Sequence, residues 1–294
     1  MKSNTQPHKV TKAIIPVAGY GTRFLPATKA QPKEMLPVID RPAVQIAVEE
    51  AVKSGITDII LITGQSKRAI EDHFDRNTDL ELRLRQAKKS KELAEIIAVS
   101  ELANFVYIRQ RKALGNGHAV LCAENVIGHE PFAVIWPDDY IVSKKICIKQ
   151  MIDVYNEYTS PVIGVLAVPR SDITKYGIIK NKHIKENIHE VLGIIEKPDL
   201  ENAPSNLAVL KGYVLTPDIF AVLKHTRAGK GGEIWLADAV LNLMKKQSVF
   251  ACEFSGTIYD LGSKLGWLKA NIAEGLKHDS LGTELRKYLR SLVR

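Results

Sequence analysis

Cysteine is scarce in this chain: Cys122, Cys147 and Cys252 are its three, widely spaced and without a C-x-x-C pair. No disulfide framework or cysteine zinc site is therefore expected. A reduced, cytoplasmic setting is expected, because the amino terminus MKSNTQPHK also lacks the apolar core of a secretory signal. No apolar run approaches the length that spans a bilayer, which excludes an integral membrane protein. The eight histidines show no metal-ligand spacing such as i, i+4 on a helix, so no zinc site is indicated. Internal repeats, low-complexity tracts and obvious linkers are absent. Two familiar phosphate fingerprints are missing too. A P-loop needs Gly-Lys-Ser/Thr after a four-residue gap, and a dinucleotide loop needs a third glycine where Phe24 stands.

What is present is a chain of 294 residues, 45% hydrophobic, enough to bury one large core in a single main domain. Its net charge of +8 fits either an anionic small molecule or nucleic acid. The densest basic stretch, RLRQAKKSK from Arg83 to Lys91, is diluted by Asp79, Glu81 and Glu92 and carries no interleaved aromatics. It reads as a solvated helix face rather than a stacking platform for single strands.

Apolar strand-like runs alternate with amphipathic helices, the pattern of a parallel sheet covered on both faces. Lys12–Ala18, Ile59–Thr63, Phe105–Ile108 and Phe132–Trp136 read as buried strands. Asp40 and Pro42 open a helix that presents Val44, Ala47, Val48, Ala51 and Val52 on one side, and Gly55 closes it. After Pro161 the strands lengthen into hairpin-like pieces at Tyr176–Lys180, Val191–Ile195 and Leu207–Leu215. The chain thus divides into a nucleotide-type half at about 10–140, a mixed half at about 141–265 and carboxy-terminal helices from about 266 to 294.

The loop GYGTRFLPATKAQPKEMLP, from Gly19 to Pro37, follows the first strand directly. Such a loop opens at the sheet's carboxyl edge, where open α/β folds place ligands. Gly19 and Gly21 let backbone amides approach a ligand. Arg23 and Lys33 add a planar fork and a point charge, a combination suited to gripping a polyphosphate. Lys29 reads as an outer contact or a solvated lysine.

Three further strand ends carry candidate groups, the first of them on the same edge. Asp138 and Asp139 follow strand Phe132–Trp136 and offer hard oxygens for Mg²⁺, which takes one or two carboxylates and completes its shell with phosphate and water. Gln110 ends strand Phe105–Ile108 and can match the edge of a pyrimidine, with Gly115 leaving room for the ring. Glu196 and Lys197, stopped by Pro198, could accept from sugar hydroxyls and bind a sugar phosphate. His118 reads as a helix-end hydrogen bonder.

G-x-G-T-R-x-x-P-x-T followed by P-K-E-M-L-P resembles the signature loop of sugar-phosphate nucleotidylyltransferases, most closely the bacterial UTP:glucose-1-phosphate uridylyltransferases. The similarity resumes, in the family's order and spacing, at RQRKALGNGHAVLCAENVIG, WPDD, KYGII, EKP, APSNLAV and LGTEL. It implies an α/β, Rossmann-like nucleotidyltransferase fold with a mixed, mostly parallel sheet flanked by helices and a small β-rich sugar-binding extension. It further implies that Ala18, Gly19, Gly21, Thr22, Gln110 and Gly115 bind the nucleotide, while Gly177, Glu196 and Lys197 bind the sugar. Asp138 and Asp260 would hold Mg²⁺, with Arg23, Lys33 and Lys197 as the catalytic cations.

The implied substrates are UTP and glucose 1-phosphate, and the implied assembly is a homodimer or homotetramer, with no nucleic-acid or membrane partner. A sugar phosphate is already largely dianionic, so no dedicated base is required and no Ser-His pair is visible. A thymidylyl- or cytidylyltransferase, a binding-only sensor of nucleotide or sugar, and a nucleic-acid binder remain as rivals. The chain departs from the family at Leu114, Lys211-Gly212, Trp235 and Leu261. The Lys211 change is expected to alter the wall near the sugar.

Overall fold

The computed structural model describes residues 9–292, the side chain of Lys230 excepted. Residues 1–8, on which most of the expectation about the amino terminus rests, lie outside it. The strands are β1 Lys12–Pro16, β2 Pro37–Val38, β3 Arg41–Pro42, β4 Asp58–Thr63, β5 Asn104–Arg109, β6 Phe132–Ile135 and β7 Asp139–Val142. They continue with β8 Val162–Ala167, β9 Gly177–Lys185, β10 Ile188–Glu196, β11 Leu207–Leu215, β12 Phe250–Phe254 and β13 Thr257–Asp260. The helices begin with α1 Ala43–Lys53, α2 Arg68–Phe74, α3 Thr78–Gln86, α4 Ser90–Ser100, α5 Asn116–Leu121 and α6 Glu124–Ile127. The remainder are α7 Cys147–Tyr158, α8 Asp218–His225, α9 Leu236–Leu243, α10 Lys264–Gly275 and α11 Gly282–Leu292.

Among the described residues, nine strands form one sheet in the order β5-β4-β1-β6-β11-β8-β12-β10-β9. The block β5-β4-β1-β6 is parallel throughout, as the alternation of strands and helices predicts. Beyond it the sheet differs from the expectation of mostly parallel pairing. β11 enters antiparallel between β6 and β8, and β10 runs antiparallel to both β12 and β9. For β9 and β10 the hairpin connection is the physical reason, since a two-residue turn can join only antiparallel neighbours. This β-rich hairpin extends the main sheet at its end.

The continuous apolar runs are explained by burial on both faces. Ile14, Ile60, Ile62, Phe132 and Val134 point into one core cluster, and Ala13, Ile15, Ile59, Leu61, Ala133 and Ile135 into the other. α1 and α7 cover one face through Val44, Val48, Ile148 and Met151. α8 and α9 cover the opposite one through Ile219, Phe220, Leu236 and Val240. Each fully buried aliphatic side chain contributes about 1.5–3 kcal/mol, so the two layers fix the sheet and hence the strand ends that carry the site. A separate ribbon, β7 paired antiparallel with β13, sits over the carboxyl edge and sets Asp139 opposite Asp260.

Candidate active site

A cleft of about 650 Å³ opens at the carboxyl edge of the parallel block. Of the predicted residues, Ala18, Gly19, Gly21, Thr22, Arg23, Lys33, Gln110, Gly115 and Asp138 line it; Gly177, Glu196, Lys197 and Asp260 do not. A second cavity of about 410 Å³ shares its wall and takes Lys29, consistent with an outer position. In the loop, Gly21 adopts φ +66°, and a Cβ there would lie 3.1 Å from Cβ of Lys33 and 3.3 Å from Cβ of Thr28. The glycine thus lets the Lys33 stem pack beneath the loop, and the Thr28 hydroxyl donates to the Gly21 carbonyl at 2.7 Å.

The β7–β13 ribbon brings Asp138 and Asp260 together. Asp138 Oδ2 accepts from Lys33 Nζ at 2.6 Å, and Asp260 Oδ1 accepts from the Gly262 amide at 2.8 Å. Arg23 Nη1 donates to the Gly262 carbonyl at 3.1 Å. All three side chains converge where Gly262 has no Cβ: such an atom would meet Asp260 Oδ1 at 2.9 Å, Asp138 Oδ2 at 3.0 Å and Arg23 Nη1 at 3.2 Å. The two carboxylate oxygens that reach this point are hard donors of the kind a divalent cation takes, and Arg23 beside them adds positive charge. Among the described residues no group of three or more protein ligands forms a cage, so phosphate and water would complete the shell.

The charges are mutually supporting. Burial pulls the Lys33 ammonium down, but the charges of Asp138 and Glu34 prevail and hold its pKa above the ordinary value. Burial pushes Asp138 up, and Lys33 prevails to hold it below the usual carboxylate range. Asp139 goes the other way, pushed up to about 7 by burial and by the Asp138 charge.

At the base side the structure revises two readings. Gln110 Nε2 donates to the Gly115 carbonyl at 3.1 Å and lies 3.0 Å from His118 Nδ1. A carbonyl oxygen only accepts, so the amide nitrogen must be the end that faces it. Both amide hydrogens are then spent, His118 Nδ1 is an acceptor, and Gln110 Oε1 alone is left for a ligand. His118 is thus a partner of Gln110, not a helix-end hydrogen bonder; burial holds its pKa below the ordinary value and favours the neutral ring. Gly115, at φ +96°, is required for a different reason than room for a base. A Cβ there would lie 2.6 Å from the Ile234 carbonyl oxygen and 2.8 Å from its nitrogen.

The sugar-side residues cluster on the β9–β10 hairpin. Gly177 and Glu196 are register partners, and a Cβ at Gly177 would lie 2.9 Å from Glu196 Oε2. Lys197 adopts φ +46° and donates its amide to the Tyr176 carbonyl at 3.0 Å. Tyr176, just before β9, and Tyr213, in β11, sense the charges of the carboxylates. Burial and then the Asp260 and Asp139 charges push the Tyr176 phenol up to about 12. Burial raises the Tyr213 phenol, and Glu196 and Asp139 add to the shift.

Sequence reasoning missed the buried pair of Glu34 and Lys67, 2.8 Å apart and 3% and 6% exposed, beneath the loop. Glu34 stood within the quoted PKEMLP motif as an acid among basic residues, a usable signal; Lys67 offered none. The departures from the family pattern also resolve. Leu261 is buried with Val38, Ala43 and Ala270. Trp235 lines the cleft, and the Leu114 carbonyl accepts from Ile234 at 2.8 Å. The Lys211 side chain is 2% exposed and turns toward α1, with Nζ 2.5 Å from Glu50 Oε2.

A family model described as Nucleotidyl transferase matches residues 12–274. The chain belongs to the nucleotidyl transferase family. Among curated members, the UTP–glucose-1-phosphate uridylyltransferase YngB of Bacillus subtilis (strain 168) is 50% identical over 286 residues, covering 97% of this chain and 96% of that one. Among solved structures, a UTP-bound UGPase from Acinetobacter baumannii superposes with a TM-score of 0.90 at 43% identity, over 96% of this chain and 99% of that one. A UDP-glucose pyrophosphorylase complexed with UDP-glucose gives 0.83 at 41% identity, over 92% and 100%. The α/β nucleotidyltransferase fold that the resemblance implies is the one this family member adopts.

Proposed function

We propose that this chain transfers the uridylyl group of UTP to α-D-glucose 1-phosphate, giving UDP-glucose and pyrophosphate. The observation that carries the reading is the convergence of Arg23, Asp138 and Asp260 within 3.2 Å of one point at Gly262, with Lys33 bonded to Asp138 beside the glycine loop. The UTP bound to one relative and the UDP-glucose bound to another support both ends of the reaction. In the reaction a phosphate oxygen of the sugar phosphate attacks the α-phosphorus of UTP. The bond from that phosphorus to the bridging oxygen of the β-phosphate breaks, and pyrophosphate leaves with the electron pair. Bound between Asp138 and Asp260, a divalent cation, Mg²⁺ in this reading, would supply Lewis-acid charge to the phosphates.

Arg23 and Lys33 would neutralise the triphosphate and the departing pyrophosphate. Ala18, Gly19, Gly21 and Thr22 shape the loop around the nucleotide. Glu196 and Gly177 would take the hexose, and Lys197 its phosphate, in line with the α-phosphorus. Catalysis would rest on alignment and preorganised charge, because the attacking oxygen is already anionic. Gln110 Oε1, as a lone acceptor, suits the N3–H of uracil or thymine and opposes the bare N3 of cytosine, which disfavours the cytidylyl alternative. Residues of about 10–140 would serve the nucleotide and about 141–265 the sugar phosphate.

Exposed Leu265, Leu268 and Tyr288 on α10 and α11 support a homodimer or homotetramer. The cytoplasmic setting rests on the cysteine content and on the described helices, none of which is long and apolar enough to cross a membrane. The test is incubation with UTP, glucose 1-phosphate and Mg²⁺ followed by mass analysis. UDP-glucose is the expected product, and the absence of any nucleotide sugar contradicts the reading.

A further inference from the structure

Lys211 combines three costly features. It is a fully buried lysine, it holds φ +71° without being a glycine, and its neighbour Gly212 at φ +142° brings β11 so close to β6 that a Cβ would lie 1.8 Å from the Val134 carbonyl oxygen. The ladder between β11 and β8 breaks here, jumping from Val209 to Tyr213. Costs of this kind persist where the surrounding structure over-determines a conformation, and they gather at functional sites.

Three contacts of Lys211 lead to the turn that carries Asp138. Its amide donates to Asp139 Oδ2 at 2.7 Å, and its ammonium donates to the Asp139 carbonyl at 3.2 Å. Its own carbonyl accepts from the Trp136 amide at 2.9 Å. One residue therefore fastens both ends of Trp136–Asp139, with Asp138 held between them. Glu50 of α1 anchors the ammonium from below. Asp139 is also the register partner of Asp260, so the same grip reaches the second carboxylate through the β7–β13 ribbon.

We propose that Lys211 is the positioning residue of the metal-binding turn, setting Asp138 and Asp260 at the separation a divalent cation requires. The proposal rests on the reading of those two aspartates given above. It assigns the departure from the family pattern at Lys211-Gly212 to cation affinity and leaves sugar preference untouched. A hydrophobic residue at 211 would keep the amide bond to Asp139 and lose the ammonium bonds to the Asp139 carbonyl and to Glu50. Small displacements of a ligand-bearing turn weaken metal binding by one to two orders of magnitude, as the loss of other outer-shell contacts does.

The experiment is Mn²⁺ titration of the full chain with UTP present, read from the free-ion electron paramagnetic resonance signal, alongside thermal melting and steady-state kinetics. D138N calibrates the site and should lose at least 10-fold in Mn²⁺ affinity. K211M should lose a comparable factor, while KM for glucose 1-phosphate stays within about 3-fold. The double variant K211M/E50M removes the stranded Glu50 charge and should regain melting temperature without regaining affinity. Wild-type Mn²⁺ affinity in K211M, or affinity that returns with stability in the double variant, overturns the proposal alone. Unchanged affinity in D138N overturns the reading of the site and the proposal with it.

Discussion

Lys33 Nζ and Asp138 Oδ2 are 2.6 Å apart, so a cation proposed for phosphate and a carboxylate proposed for metal are each other's partners. The two pKa values move apart, Lys33 upward and Asp138 downward, which keeps both charged at neutral pH. On the proposed roles, substrate and metal would enter by exchange, the triphosphate taking Lys33 and the metal taking Asp138. The pair holds the site in shape without substrate.

Removing either partner should affect two observables. Lys33→Ala and Asp138→Asn are expected to lower turnover by roughly two to three orders of magnitude, the scale of losing preorganised charge. Lys33→Ala also leaves Asp138 half-buried without its partner, at about 1–3 kcal/mol of stability after allowance for partial exposure. Steady-state kinetics and urea unfolding check the two parts, and near-normal turnover in either variant defeats the assignment.

Gly262→Ala should act on the carboxylates through space alone. Its Cβ would press on Asp138, Asp260 and Arg23 at 2.9–3.2 Å. The Mg²⁺ concentration for half-maximal rate should rise at least about 10-fold while the melting temperature moves little. An unchanged Mg²⁺ requirement contradicts the convergence described for this point.

His118→Phe should free one amide hydrogen of Gln110 while the Gly115 carbonyl keeps the other, so that a donor as well as Oε1 can face the base. The ratio of kcat/KM for UTP over CTP is expected to fall about 10-fold. In the wild type, a protonated ring would turn an N–H toward the Gln110 amide nitrogen. Because burial lowers the His118 pKa, the neutral ring persists down through pH 6.5, and KM for UTP should rise only below that. The same acid-side rise in the His118→Phe variant would exclude His118 as its source.

The first strands, α1 and the glycine loop were legible in the sequence because each is a local pattern: a continuous apolar run, a helical stripe, a turn of glycines. β11 was read to its observed ends for the same reason. What stayed hidden depends on contacts between distant segments. The β7–β13 ribbon sets Asp139 against Asp260, and neither strand has a period that stands out. Lys67 is a surface lysine by every local rule, yet it is buried against Glu34. His118 and Lys211 owe their partners to a turn and a bulge that form only in the folded sheet.

The Glu34–Lys67 pair gives a stability test with a definite sign. Lys67→Met strands Glu34 and should cost about 3–5 kcal/mol at pH 8. Burial raises the Glu34 pKa above its ordinary value even with Lys67 present, so protonation favours the folded state as pH falls through that pKa. The deficit of the variant should therefore shrink toward pH 5 as Glu34 takes up its proton, since a neutral carboxyl needs no counter-charge. Urea unfolding at the two pH values checks this, and a deficit that grows on acidification contradicts it.

The central claim is a two-substrate site selective for UTP and glucose 1-phosphate. Its most direct test is pyrophosphate release from a grid of nucleoside triphosphates against sugar 1-phosphates, with Mg²⁺ and with excess EDTA. The account predicts that UTP with glucose 1-phosphate gives the highest kcat/KM, that CTP is poor with every sugar, and that EDTA abolishes release. Preference for CTP, or release undiminished by EDTA, would contradict it.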